Sequence, residues 1–164
     1  MKKPLYSIKP FIHNEEQKRD LFGFIGEYCA SKFVREVLGG LITSELGQFW
    51  FVALTQHGEV MGFASILPQK GKAKMAHLCV DLQETPDVVK QALEKNLINV
   101  CEEKACQLGL AEIHTVDYVK REQFYFIYGW QKGAVKGQFA TYTKELKFGK
   151  FSRKYSPLLF HWLH

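Results

Sequence analysis

Residues 49–67 read FWFVALT, QHGE, VMGFASIL: two runs rich in β-branched and aromatic residues, joined by four residues that include a glycine. Two such runs around a short glycine-containing turn predict a β-hairpin. KMAHLCVDL, 74–82, adds a third strand with Met75, His77, Cys79 and Asp81 on one face and Ala76, Leu78, Val80 and Leu82 on the other. Thr85-Pro86-Asp87 then opens a helix, with Thr85 as N-cap, Pro86 at the first helical position and an acid in the first turn. Its apolar stripe is Val89, Leu93, Leu97, Val100 and Leu108, and Gly109 ends it. LAEIHTV, 110–116, follows as a strand. A meander followed by strand–helix–strand predicts an α/β chain of the α+β type, with a central mixed sheet and helices on both faces.

The flanking segments fit that plan. LYSIKPFI, 5–12, predicts an opening strand that Pro10 places at a sheet edge. Asn14 can cap a helix carrying Leu21, Phe22, Ile25 and Tyr28 at helical spacing. A second helical piece covers Phe33–Leu38, is broken by Gly39-Gly40 and resumes to Leu46. Lys120–Tyr128 predicts a helix ended by Gly129, and QFATYTKELKF, 138–148, a last strand. No repeat or linker divides the 164 residues, so a single domain 1–164 is expected, with 149–164 as a basic, aromatic C-terminal extension.

Composition narrows the function classes. The 46% hydrophobic and 24% charged content is that of a soluble globular chain. No apolar run reaches the roughly 18 residues of a membrane span, and no signal peptide is read at the start, which predicts a cytoplasmic protein with no membrane partner. Cys29, Cys79, Cys101 and Cys106 fall at no metal-ligand spacing and read as reduced, buried thiols. The net charge of +5 mildly favours an anionic partner. In KELKFGKFSRKY, 144–155, Lys147, Lys150, Arg153 and Lys154 interleave with Phe148, Phe151 and Tyr155, a pattern that could track a nucleic-acid backbone or be a solvated strand end. Leu158, Leu159, Phe160 and Trp162 beyond it predict docking on the same domain or on a second copy, as in a homodimer.

The stretch FYFIYGW, 124–130, carries Tyr125 four residues before Gly129-Trp130, and HGEVMGFAS, 57–65, carries a Gly-Glu-x-x-Gly-Phe-Ala pattern. In this element order the two motifs resemble the GNAT superfamily of N-acetyltransferases over roughly residues 5 to 148. The resemblance implies transfer of an acetyl group from acetyl-coenzyme A to an amine, with Tyr125 giving a proton to the departing thiolate. It places Cys79, Val80, Gln83, Val88, Tyr118 and Arg121 at cofactor-binding positions. His77, Asp81 and His114 are candidate bases, with Asp117 close to His114 in sequence; an imidazole near neutral pKa suits the deprotonation of an ammonium.

Two departures stand against the family pattern. The loop that normally holds the coenzyme A pyrophosphate is here QETPDV, 83–88. Gln83 fits, whereas Pro86 lacks an N–H, Val88 is branched, and Glu84 and Asp87 add negative charge. Tyr118 and Arg121 stand where relatives carry asparagine and alanine, and Arg121 with Lys120 is either a phosphate contact or a solvated basic face. The alternative reading is therefore a non-catalytic or donor-switched GNAT-like protein that binds or modifies nucleic acid, as phage DNA-modifying members of the superfamily do.

Overall fold

A computed structural model describes residues 5–146 of the chain. The strands are β1 (Ser7–Ile12), β2 (Phe49–Leu54), β3 (Val60–Gln69), β4 (Lys72–Cys79), β5 (Glu112–Tyr118), β6 (Gln131–Lys136) and β7 (Phe139–Glu145). The helices are α1 (Lys18–Cys29), α2 (Lys32–Leu38), α3 (Asp87–Gln107) and α4 (Glu122–Ile127), the last entered through a 3₁₀ turn, Val119–Arg121. The strands pair in the order β1-β2-β3-β4-β5-β7-β6. β4 and β5 run parallel while β1–β2, β2–β3, β5–β7 and β6–β7 are antiparallel, so the sheet is mixed, as expected.

Contacts divide the described residues into two compact units, the first running up to residue 67 and over 76–99, the second over 68–75 and from residue 100 onward. In the first unit the hairpin forms in the predicted place, with Phe49 opposite Ile66. Its turn closes through Thr55, whose hydroxyl accepts the His57 and Glu59 N–H groups, and through Gly58 at φ 81°. The core of this unit gathers Phe11, Leu21, Ile25, Val34, Trp50, Val52, Val60, Phe63 and Cys79. Gly62 is required by packing: a Cβ there would lie 2.7 Å from the Cys79 carbonyl oxygen and 3.1 Å from Leu93.

Asn14 caps a turn rather than the helix, accepting the Gln17 N–H at 2.8 Å, and α1 starts at Lys18. Ser31 caps α2 through the Val34 N–H, and Gly39 at φ 75° ends it. The helix does not resume to Leu46. Residues 39–48 form a loop, because its polar groups are satisfied by side chains of other strands instead of by a helical ladder.

α3 begins one residue later than expected. Pro86 occupies the cap position, its carbonyl accepting the Val89 and Lys90 N–H groups, while the Thr85 hydroxyl turns back to the Gln83 carbonyl. Leu108 lies past the helix end and is exposed, and Leu110 is buried in its place. The third strand spans 72–79, and its regular alternation breaks at His77, which has φ 59°.

In the second unit β5 pairs with β7 along its whole length, from Glu112 opposite Glu145 to Tyr118 opposite Phe139. Strand β6 is an element the sequence did not reveal. All six of its residues are exposed, so it carries no alternation to read, and its pairing with β7 alone defines it. Buried residues of this unit include Cys101, Ile113, Tyr125, Trp130, Ala140 and Tyr142. Among the described residues no helix is long and apolar enough to cross a membrane.

Candidate active site

Tyr125 lies on α4, 1% exposed, with its ring stacked on Tyr142 at 4.3 Å and edge-on to Trp130 at 5.5 Å. Gly129 at φ 86° turns the chain there, and the Trp130 N–H returns to the Tyr125 carbonyl. Of the run 124–130 only Tyr125 and Trp130 are buried; Phe124 and Tyr128 are partly buried, and Phe126 and Ile127 face outward. The Tyr125 hydroxyl donates to Asp117 Oδ2 at 2.7 Å. Asp117 Oδ1 accepts the Tyr118 N–H at 2.7 Å, and Arg121 Nε stands 3.6 Å from Oδ2. The carboxylate thus collects a phenol, a backbone amide and a guanidinium, all good partners for an ionised acid.

Tyr118 and Arg121, the two departures from the family pattern, border this cluster. Tyr118 stacks on Phe139 at 4.8 Å with Lys120 Nζ 4.9 Å above its ring, and its carbonyl accepts the Tyr142 hydroxyl. The Arg121 guanidinium lies 4.2 Å over Phe124, so its flat face is used for stacking and its edge points at Asp117. A purely solvated basic face does not describe it.

His114 sits three residues before Asp117 on β5, so strand alternation places the two on opposite faces. Its pKa is lowered, chiefly by burial and then by Lys72, against an opposing pull from Glu112. Its Nδ1 has no hydrogen-bond partner among the described residues. That nitrogen is buried, so it is not open to an incoming ammonium.

His77 is differently placed. Its ring is stacked on Trp50 at 5.2 Å, Nε2 accepts the Thr43 N–H at 3.2 Å, and Nδ1 is 3.0 Å from Ser65 Oγ. Asp81 lies beyond the end of β4, not on its face, and pairs with Lys90 at 3.2 Å. Cys79 is buried and its thiol is pushed up to about 11 by desolvation, so at neutral pH it is an inert packing group.

The helix α3 entrance is less hostile to phosphate than its sequence suggests. Because the helix starts at Asp87, the missing N–H of Pro86 is not one of its first-turn amides. Asp87 and Val88 carry N–H groups with no hydrogen bond among the described residues, and the Val88 side chain is 73% exposed. Val80 is buried, and the Gln83 amide is committed to the Val60 carbonyl at 3.2 Å. The acids Glu84 and Asp87 remain, each worth on the order of 1 kcal/mol against a nearby anion. Lys147, Lys150, Arg153 and Lys154 lie outside the described residues.

Sequence reasoning missed Asp117 as the partner of Tyr125, and Thr43, Trp50 and Ser65 around His77. Sequence spacing alone could not point to the latter three, which lie 12 to 34 residues from His77 and meet it only through strand pairing and a folded loop. A cavity of about 400 Å³ bounded by Glu122, Phe126, Trp130 and Lys132 includes none of the predicted site residues.

No protein-family model matches the chain, and no curated protein does. Solved structures do. A GNAT-family acetyltransferase from Staphylococcus aureus Mu50 superposes with a TM-score of 0.55 at 14% identity, covering 86% of this chain and 100% of that one. An acyl-CoA N-acyltransferase from Pseudomonas aeruginosa gives 0.59 at 12% identity, over 85% and 99%. Escherichia coli ElaA gives 0.58 at 15% identity, over 85% and 99%. At these identities the likenesses show the fold alone: the chain, with its mixed seven-stranded sheet, has the GNAT fold.

Proposed function

We propose that this protein is an N-acyltransferase that moves an acyl group, acetyl in the simplest case, from a coenzyme A thioester to an amine. The observation that carries the reading is the state of β4. Its register with β5 covers only Lys72–Lys74, and at His77 the backbone turns into the left-handed region. The strand from Leu78 to Val80 is thereby offered as an edge to which the amides of a pantetheine arm can bond in the manner of an added strand. Cys79 and Val80 then serve through their backbone, and the Asp87 and Val88 N–H groups are positioned for pyrophosphate, Gln83 bracing the loop.

In the chemical step the neutral amine nitrogen attacks the thioester carbonyl carbon, the C–S bond breaks, and the thiolate takes a proton. Water removes the proton from the incoming ammonium, since His114 lies on the face of β5 opposite Asp117 and its Nδ1 is buried. Tyr125 supplies the thiolate proton after its hydroxyl turns about its C–O bond from Asp117 toward sulfur, and the phenolate is restored by the proton that the acylated nitrogen sheds. Arg121 remains beside the carboxylate and offsets the loss of that donor.

A melting series with coenzyme A, acetyl-coenzyme A and a DNA duplex tests the reading. At a hundred times the dissociation constant a native-state ligand stabilises by about 2.7 kcal/mol. For a chain of this length that is a rise of roughly 5–10 °C. A rise with either coenzyme supports the proposal. No rise up to millimolar coenzyme refutes it, and a salt-sensitive rise with DNA would favour the nucleic-acid alternative.

A further inference from the structure

Loop 39–48 is bounded by two glycines in the left-handed region, Gly39 at φ 75° and Gly47 at φ 87°. Its middle is fastened by side chains. The Thr43 N–H donates to His77 Nε2 at 3.2 Å, and Ser44 Oγ lies 2.7 Å from His13 Nδ1 and accepts the Trp50 indole N–H at 3.0 Å. Nearer the hinge, Gln48 binds its own loop at Glu45 and donates to the buried Ser65 hydroxyl at 2.8 Å. Leu41 and Leu46 stay exposed and Ile42 alone of the loop's apolar side chains packs on the core, so hydrogen bonds carry much of the seating.

The bonds define the state of the His77 ring. Ser65 donates its own proton to the Ala76 carbonyl and accepts from Gln48, so it faces His77 as an acceptor and Nδ1 carries the hydrogen. Nε2 must then be bare to accept the Thr43 N–H. A second proton on the ring would set N–H against N–H at that contact. The groups facing the ring include Trp50 from β2, Ser65 from β3 and Thr43 from the loop, and a titratable group on the same network is His13, reached through Ser44 and Trp50. His77 also holds a left-handed φ that a non-glycine residue seldom adopts, and such outliers gather where a conformation is used.

We propose that loop 39–48 is a hinged strap over the Trp50 face, seated by His77 in its neutral Nδ1–H form and released when the ring is protonated. The mechanism is local and needs no acyltransferase activity.

The test is amide hydrogen exchange by NMR across the histidine range, about pH 8 to pH 5, with rates corrected for intrinsic exchange and the imidazole ¹⁵N shifts followed in parallel. Thr43 protection is expected to fall about tenfold or more as His77 titrates, with the Val52 amide in β2 unchanged. The step is expected to vanish in His77→Asn, which tolerates left-handed φ without a titrating ring, and to persist in His13→Gln. A Thr43 protection constant through the titration, a fall shared by Val52, or a step that follows His13 overturns the proposal. The wild-type titration decides it even where a variant fails to fold.

Discussion

The Tyr125 hydroxyl donates to the Asp117 carboxylate across 2.7 Å, from a ring that is 1% exposed. The bond joins helix α4 to the end of β5 and rests the phenol proton on a carboxylate. Tyr125→Phe removes a donor to a charged acceptor, which costs about 1.5–3 kcal/mol, while the packing against Tyr142 and Trp130 survives. Melting should fall by several degrees with coenzyme A binding retained. If Tyr125 protonates the thiolate, turnover drops about 10²–10⁴-fold. A variant with full turnover removes Tyr125 from the chemistry and leaves it a structural tie.

Gly62→Ala tests the close approach of β3 and β4. The added Cβ meets the Cys79 carbonyl, which is backbone, together with Leu93 and Val80, so relief requires movement of a strand. A loss of about 1–3 kcal/mol in denaturant unfolding is expected. Gly23→Ala, with open space around its Cβ and a helical position, serves as the control and should not destabilise.

Glu102 pairs with Lys144 at 2.6 Å, yet its pKa is raised, because burial outweighs the lysine. A carboxyl group with a folded pKa above its unfolded value binds more protons in the native state. Its contribution to stability is complete below the usual glutamate range and is lost as pH rises through the folded value. Stability measured upward from about pH 4.5 should therefore fall more steeply with pH in the wild type than in Glu102→Gln. Equal slopes would show that Glu102 titrates as an ordinary surface acid.

His114 is held below the usual histidine value by burial and by Lys72. Replacing Lys72 by methionine removes the first of its cationic neighbours, and the NMR titration of His114 should move up. An unchanged titration would remove Lys72 from the causes and leave burial and Lys74.

The thiols supply a separate check. Burial pushes Cys79 and Cys106 up to about 11, and raises Cys101 further. Near pH 8 the thiolate fraction of the first two is on the order of 10⁻³, so iodoacetamide should label the half-exposed Cys29 first and the other three only after denaturation. Rapid labelling of native Cys79 would reopen its reading as a nucleophile.

Element order was legible because periodicity is local. The 49–67 hairpin, the long helix and the strands on either side of it were each identified by residues within their own span. The α3 start was misplaced by one position, since Thr85 and Pro86 are both good start signals and only the folded loop, with Thr85 bonded to Gln83, selects between them. Strand β6 was invisible, because QKGAVK has no apolar face and exists as a strand only through its ladder with β7.

The candidate site divides along the same line. Sequence alone determined the fold class and pointed to Tyr125, since the tyrosine, the glycine and the aromatic after it lie within one turn-ended helix. Tertiary structure decided what Tyr125 and His77 touch. Asp117 reaches the phenol because β5 runs into the 3₁₀ turn that redirects the chain into α4, and Thr43 reaches the imidazole from 34 residues away. A hydrogen bond depends on distances of a few ångströms between groups whose sequence separation carries no such information, so the partners of a site residue are fixed only when strand register and loop closure are complete.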